Sequence, residues 1–217
     1  MDKLRRAVVL IIAGNDSGSG FFIAPNLILT NQHVVAKAPK GEVVVVGRGL
    51  DRPRIARITA MTRNGQANQR DFALLEVQGG TGTAVLAFAN SATALDNVIA
   101  AGFPGLLLAN DGAFKALAAG DLTAMPELAF TKGQIMARQN AGQGVVTLAH
   151  SAAISGGNSG GPLVDSCGNV VGVNSFISVA VSQGTNAGFA QSADDATAFL
   201  TAHGAKFHKV DATCQAN

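Results

Sequence analysis

The 217-residue chain carries a net charge of +2, with 47% hydrophobic residues, only 14% charged residues and 26 glycines. That composition excludes a disordered chain or a coiled coil, and its basic residues are too few and too scattered for a nucleic-acid surface. No run reaches the roughly 18 apolar residues of a membrane span, so membrane association would need a segment outside this sequence.

Lys3, Arg5 and Arg6, followed by the apolar run 7–13, imitate the basic and apolar parts of a signal peptide. The run is short and no clear small-residue cleavage site follows, so 7–13 is read as a buried first strand. Further apolar runs bounded by Gly, Pro, Asn and Asp predict strands at 20–23, 27–30, 42–46, 54–60 and 72–77. Residues 54–59 read as an alternating, half-buried strand, the others as runs buried on both faces. The stretch 79–96 is rich in Gly, Thr, Ala, Ser and Asn, carries little strand signal beyond 84–88 and predicts a connection. A second set of strands follows at 97–101, 133–138, 145–149, 162–165, 170–176 and 186–190. Between the first two of these, 106–127 is a long apolar-rich loop, a kind more often functional or mobile than inert. Ser192 caps a short helix ending at Ala202, with Asp194 and Asp195 in its first turn and Gly204 just beyond. The expectation is an all-β chain of two lobes, 1–89 and 90–204 with the terminal helix, followed by a tail, 205–217.

The sharpest local signal is Gly156-Gly157-Asn158-Ser159-Gly160-Gly161-Pro162. A serine hydroxyl is a poor nucleophile until a base removes its proton and donors stabilise the oxyanion it creates. Flanking glycines let the chain turn tightly enough to aim several amides into one small space. By itself the loop is equally a plain turn, and the Gly-Lys-Ser/Thr ending of a phosphate cradle is missing. Its Gly-x-Ser-x-Gly spacing also fits an α/β-hydrolase, with Asp194 or Asp195 and then His203 downstream. His203 follows too closely, however, and no helices alternate with the strands before Ser159. A base is found upstream at His33, just after a predicted strand, and an acid at Asp71, at the start of Asp71-Phe72-Ala73-Leu74-Leu75-Glu76-Val77. Each has a bland reading as a structural histidine or a turn aspartate. Their joint order, His, Asp, Ser, on a chain of short strands is that of a nucleophile, base and orienting acid.

The segments Gly18-Ser19-Gly20-Phe21-Phe22-Ile23, Leu29-Thr30-Asn31-Gln32-His33-Val34-Val35, Asp71-Phe72-Ala73-Leu74-Leu75, Gly102-Phe103-Pro104-Gly105, Gly156-Gly157-Asn158-Ser159-Gly160-Gly161-Pro162-Leu163-Val164 and Asn186-Ala187-Gly188-Phe189-Ala190 resemble the successive landmarks of trypsin-like serine proteases, and most resemble the bacterial HtrA-like branch. The resemblance implies two six-stranded antiparallel β-barrels with a short C-terminal helix and an active site in the cleft between them. It implies a serine endopeptidase with His33 as base, Asp71 as its orienter and Ser159 as nucleophile, and the amides of Gly157 and Ser159 as oxyanion hole. It places the primary specificity pocket at Ala153, Ile154, Ser155, Val173, Asn174, Ser175 and Gly188, none of them charged, which favours small or medium aliphatic residues before the cut. Asn158 stands where trypsin-type zymogens use an aspartate to receive a freed N-terminus, so regulation is expected from the 106–127 loop and not from clipping.

The resemblance also implies a polypeptide substrate, no cofactor, no nucleic acid and an extracytoplasmic location, and leaves the oligomeric state open. His150 is read as structural, and with no His/Cys/Asp cluster at ligand spacing no metal is expected. Cys167 and Cys214 are either two free thiols or one bridge pinning the tail to the second lobe. The rival reading is a catalytically silent trypsin-like domain used for binding or as a scaffold.

Overall fold

The computed structural model describes residues 1–63, 69–79, 82–90, 92–140, 144–180, 185–210 and 214. The connection 79–96 and the tail 205–217 therefore each contain residues outside the described set. A short helix α1 (Asp2–Ala7) leads into β1 (Val8–Ala13), whose Val-Val-Leu-Ile-Ile run suits a strand buried on both faces. β2 (Asp16–Ala24), β3 (Leu27–Thr30), helix α2 (Gln32–Val35), β4 (Glu42–Val46), β5 (Arg54–Met61) and β6 (Ala73–Val77) complete the first lobe's elements. The strands close into a barrel in the order β1-β2-β3-β6-β5-β4, sealed by β1 against β4 with Ile11 opposite Val45. In β5 the inward set is Arg54, Ala56, Ile58 and Ala60, so Ile55 faces out and is 49% exposed. The two isoleucines lie three apart and a strand's period of two cannot bury both.

The second lobe contains β7 (Ala87–Phe88), β8 (Asn97–Gly102), helices α3 (Gly105–Leu108) and α4 (Gly112–Ala118), β9 (Ala129–Asn140), β10 (Val146–His150), β11 (Pro162–Val164), β12 (Val170–Ala180), β13 (Thr185–Ser192), helix α5 (Ala193–Ala202) and β14 (His208–Lys209). Six of these strands run β11-β8-β9-β10-β13-β12, and pairing of β11 with β12 closes the ring. β7 adds in parallel to β12, and β14 to β7, so the connecting strand and the tail extend this sheet. The fold is thus two closed six-stranded antiparallel barrels with few helices, the trypsin-like architecture. The expected cap of α5 is present: the Ser192 hydroxyl accepts from the Asp195 amide. The 106–127 segment, read as a loop, contains most of α3 and all of α4.

Each barrel has its own apolar interior, one around Ile11, Phe22 and Leu75 and the other around Ile135, Leu148 and Leu163. A third cluster lies between them, joining Leu10, Phe21 and Phe72 to Phe88, Val173 and Phe199. Phe72 and Phe199 meet with ring centroids 5.7 Å apart, and Phe21 and Phe88 at 6.1 Å. Such pairs contribute about 1 kcal/mol each beyond the apolar area they bury. The lobes are therefore joined by packed core, which fixes them against each other.

Candidate active site

His33 lies in the single turn of α2, reached directly from β3, and its side chain is 41% exposed. Asp71 immediately precedes β6, the neighbour of β3 in the barrel, and its side chain is only 4% exposed. Adjacent strand ends thus bring together residues that lie far apart in the sequence. Asp71 Oδ2 lies 2.6 Å from His33 Nδ1, and Asp71 Oδ1 accepts from the His33 amide at 3.0 Å. Gripping both the ring and the backbone of one residue sets the imidazole's orientation and directs Nε2 away from the carboxylate. A third donor, the Ser175 hydroxyl, reaches Asp71 Oδ2 at 3.1 Å. A buried carboxylate needs such partners, because an unpaired charge out of water costs several kcal/mol. The Asp71 backbone is held as well: its amide donates to Gln191 Oε1 at 2.9 Å and its carbonyl accepts from Asn31 Nδ2 at 2.7 Å.

Ser159 sits in the turn before β11 and its hydroxyl donates to the Ser175 carbonyl at 2.9 Å. Ser175 is therefore shared, hydroxyl to Asp71 and carbonyl to Ser159, and a continuous chain of contacts runs His33–Asp71–Ser175–Ser159. The hydroxyl of Ser159 bonds the Ser175 carbonyl and has no hydrogen bond to His33 among the described residues.

The amides near Ser159 are aimed by the carbonyls that precede them. In a planar trans peptide the C=O and N–H point in opposite directions. The Gly156 carbonyl accepts from the Gly105 amide at 2.8 Å, so the Gly157 N–H points away from Gly105. The Asn158 carbonyl accepts from the Gly161 amide at 2.9 Å, which turns the Ser159 N–H the opposite way. Neither N–H donates to another backbone group among the described residues. Gly157 holds a φ of +98°, and a Cβ there would lie 2.4 Å from the Phe103 carbonyl oxygen, so only glycine fits. Gly157 and Ser159 thus each keep an amide without a backbone partner among the described residues, beside the Ser159 hydroxyl.

The specificity residues implied by the sequence are distributed unevenly. Ala153 is exposed, and Ile154 and Ser155 are half-buried on the segment leading to Ser159. Gly188 is buried against His150: a Cβ on it would lie 2.4 Å from the imidazole Cε1. Val173 and Asn174 have no solvent-accessible surface; Val173 belongs to the core between the lobes and Asn174 donates to the Pro162 carbonyl at 3.1 Å. Ser175 carries the additional contact to Asp71 described above. Gln191, Asn31 and Ser19 were not singled out from the sequence, although Ser19 and Asn31 lie inside the quoted motifs, one residue and two residues from their most informative positions.

The downstream residues of the α/β-hydrolase alternative do other work. Asp195 accepts from the Ser192 hydroxyl, Arg70 Nε and the Val146 amide, and His203 Nδ1 contacts the Phe199 carbonyl at the end of α5. Cys167 and Cys214 are bridged, with Cα atoms 5.7 Å apart. Among the described residues no group of His, Cys, Asp and Glu could hold a metal ion, and no helix is long and apolar enough to cross a membrane.

The trypsin-like peptidase domain family matches residues 18–173. Among curated proteins the chain is 35% identical over 170 residues to the mitochondrial serine protease HTRA2 of Drosophila pseudoobscura pseudoobscura, covering 74% of this chain and 34% of that protein. It is 34% identical over 164 residues to the uncharacterized protein y4bJ of Sinorhizobium fredii, covering 74% of this chain and 22% of that protein. The match thus spans about a fifth to a third of these relatives. Its fold is similar to that of the active form of the Rv3671c protease of M. tuberculosis, with TM-score 0.69 and 23% identity over 99% of this chain and 88% of that one. It is also similar to a serine endoprotease of Yersinia pestis, with TM-score 0.67 and 24% identity over 93% and 64% of the two chains. The chain belongs to the trypsin-like peptidase domain family.

Proposed function

We propose that this chain is a serine endopeptidase working through an acyl-enzyme, with Ser159 as nucleophile, His33 as general base and acid, and Asp71 as the group that orients His33. The observation that carries this reading is the double grip of the buried Asp71 carboxylate on His33, at 2.6 Å and 3.0 Å, linked through Ser175 to the Ser159 hydroxyl. With Nδ1 committed to Asp71, Nε2 is the nitrogen left to accept the Ser159 proton. Ser159 Oγ then attacks the scissile carbonyl carbon, and its oxygen develops negative charge in front of the Gly157 and Ser159 amides. Collapse expels the amine, which takes the proton back from His33 Nε2, and a water activated by the same nitrogen releases the acyl group.

The pocket for the residue before the cut is assigned to Ala153, Ile154 and Ser155 with Ser175 beside them; Val173, Asn174 and Gly188, expected from the sequence to line it, are buried and offer it little or no surface. With no charge among these side chains, a small or medium aliphatic residue is favoured there. An extracytoplasmic setting is supported by the Cys167–Cys214 bridge, since disulfides persist in oxidising compartments. The bond of the Ser159 hydroxyl to the Ser175 carbonyl favours, as second reading, a domain that is silent until that hydroxyl turns to His33.

Hydrolysis of an unfolded polypeptide and of short peptides varied at the residue before the cut tests this. His33→Ala and Ser159→Ala are expected to lower kcat by about 10⁴-fold or more, with Val or Ala preferred before the cut. Undiminished cleavage by Ser159→Ala would contradict the mechanism, and a preference for Lys, Arg or Glu would contradict the pocket.

A further inference from the structure

We propose that Ser19, on the opposite lobe from the nucleophile, is the positioning residue that holds the oxyanion-binding amides in their working orientation; this rests on the proteolytic reading above. Ser19 is in β2 of the first barrel, fully buried, and each of its polar groups is used. Its hydroxyl donates to the Gly157 carbonyl at 2.7 Å and accepts from the Phe103 amide at 2.9 Å. Its own amide donates to the Ser159 carbonyl at 2.8 Å, and its carbonyl accepts from Thr30 Oγ1 at 2.7 Å. One side chain thus touches both segments that shape the donor pair.

The peptide plane before Gly157 carries its N–H, and the plane after it fixes, together with the first, the φ and ψ of Gly157. The plane before it is held by Gly105, through the Gly156 carbonyl, and the plane after it by the Ser19 hydroxyl. Glycine moves between positive and negative φ at little cost, so the φ of +98° at Gly157 depends on those anchors and on the Asn158 amide, which holds the second plane from its other end by donating to the Ser155 carbonyl at 3.0 Å. Ser19 also acts on the first anchor, because the Phe103 amide it receives lies two residues before Gly105. Only a small side chain that both donates and accepts can do this. A Cβ on Gly102 would lie 2.9 Å from Ser19 Oγ, and one on Gly161 would lie 3.2 Å from Ser19 Cβ, so a side chain longer or more branched than that of serine or cysteine has no room. Alanine fits the space and leaves the Gly157 carbonyl and the Phe103 amide unpaired.

Misaimed amides weaken binding of the developing oxyanion and leave binding of the uncharged substrate unchanged, which separates this role from a structural one. The test uses a peptide anilide ending in valine, the matching peptide boronic acid as a tetrahedral mimic, and the free product peptide. With Ser19→Ala, kcat is expected to fall about 10- to 100-fold. The boronate should weaken in proportion to kcat/KM, while KM and product-peptide affinity stay within about 2-fold. Ser19→Cys, which keeps a weaker donor at the same place, should fall between wild type and Ser19→Ala, and serves alone if the alanine variant does not fold. Cleavage by Ser19→Ala, or by Ser19→Cys if only that folds, at the wild-type rate overturns the inference and leaves the proteolytic reading standing. So does an equal loss of product-peptide and boronate affinity, which marks general damage to the cleft. Absence of turnover in the wild type overturns both.

Discussion

At the scale of single residues, burial decides which groups titrate. His150 has no solvent-accessible surface, and neither ring nitrogen has a hydrogen-bond partner among the described residues. Lost hydration lowers its pKa from 6.5 to about 4; the Ala152 backbone and the Asn174 side chain lie near enough to oppose the shift in part, outside hydrogen-bond geometry. The unfolded chain binds the extra proton below about pH 6.5 and the folded chain only below about 4. The contribution of His150 is therefore fully present above pH 6.5 and is lost as pH falls towards 4, by about 3 kcal/mol in total. Denaturant titrations at pH 7 and pH 4.5 should show a smaller pH-dependent loss of stability for His150→Gln than for wild type. Equal losses would contradict the burial argument. This role was legible in part: a lone histidine on a predicted strand reads as structural, and its neighbour Gly188, which makes the space for the ring, lies on another strand.

At the scale of elements, the strands were legible and the helices of the 106–127 segment were not. All twelve predicted runs correspond to β1–β6 and β8–β13, because short apolar runs between turn residues carry that signal. The two-residue strand β7 falls within the strand signal at 84–88 and pairs in parallel with β12, whereas β14 exists only through parallel pairing with β7, which no local pattern encodes. α4 is too short to show a helical period, yet it is capped: Asp111 Oδ1 accepts from the Phe114 amide at 2.8 Å, and Oδ2 from the Glu127 amide at 3.3 Å. The Phe114 amide, acting against slight desolvation, holds Asp111 below the usual carboxylate range. One side chain thus ties the start of α4 to the far end of the segment that begins just after Gly105, the residue whose amide anchors the Gly156 carbonyl. Asp111→Ala should cost about 1 kcal/mol of stability or less while lowering kcat several-fold. A lost cap with kcat unchanged would separate this segment from the active site.

At the scale of the whole molecule, each lobe holds a candidate catalytic residue of the other. The first lobe fixes the Ser159 carbonyl through the Ser19 amide, and the second fixes Asp71 through Ser175 and Gln191. The order of His33, Asp71 and Ser159 was readable along the chain, but these cross-lobe contacts join residues more than 100 positions apart and depend on closure of both barrels. The tail is attached in the same cooperative way, by β14 on β7 and by the bridge from Cys167 to Cys214, 47 residues on. Closing a loop of that length restrains the unfolded chain by about 4 kcal/mol in the chain-entropy account. Reduction, or Cys214→Ser, should lower stability in denaturant titrations by up to that amount. A midpoint insensitive to reductant would contradict a clasp that matters to folding.

The most direct test of the central claim is reaction of the folded protein with a fluorophosphonate, the adduct being located by mass spectrometry in wild type, Ser159→Ala and His33→Ala. The account predicts a single adduct on Ser159, absent from Ser159→Ala and formed far more slowly in His33→Ala. A wild-type protein that stays unlabelled, or an adduct on another residue, would contradict an activated Ser159.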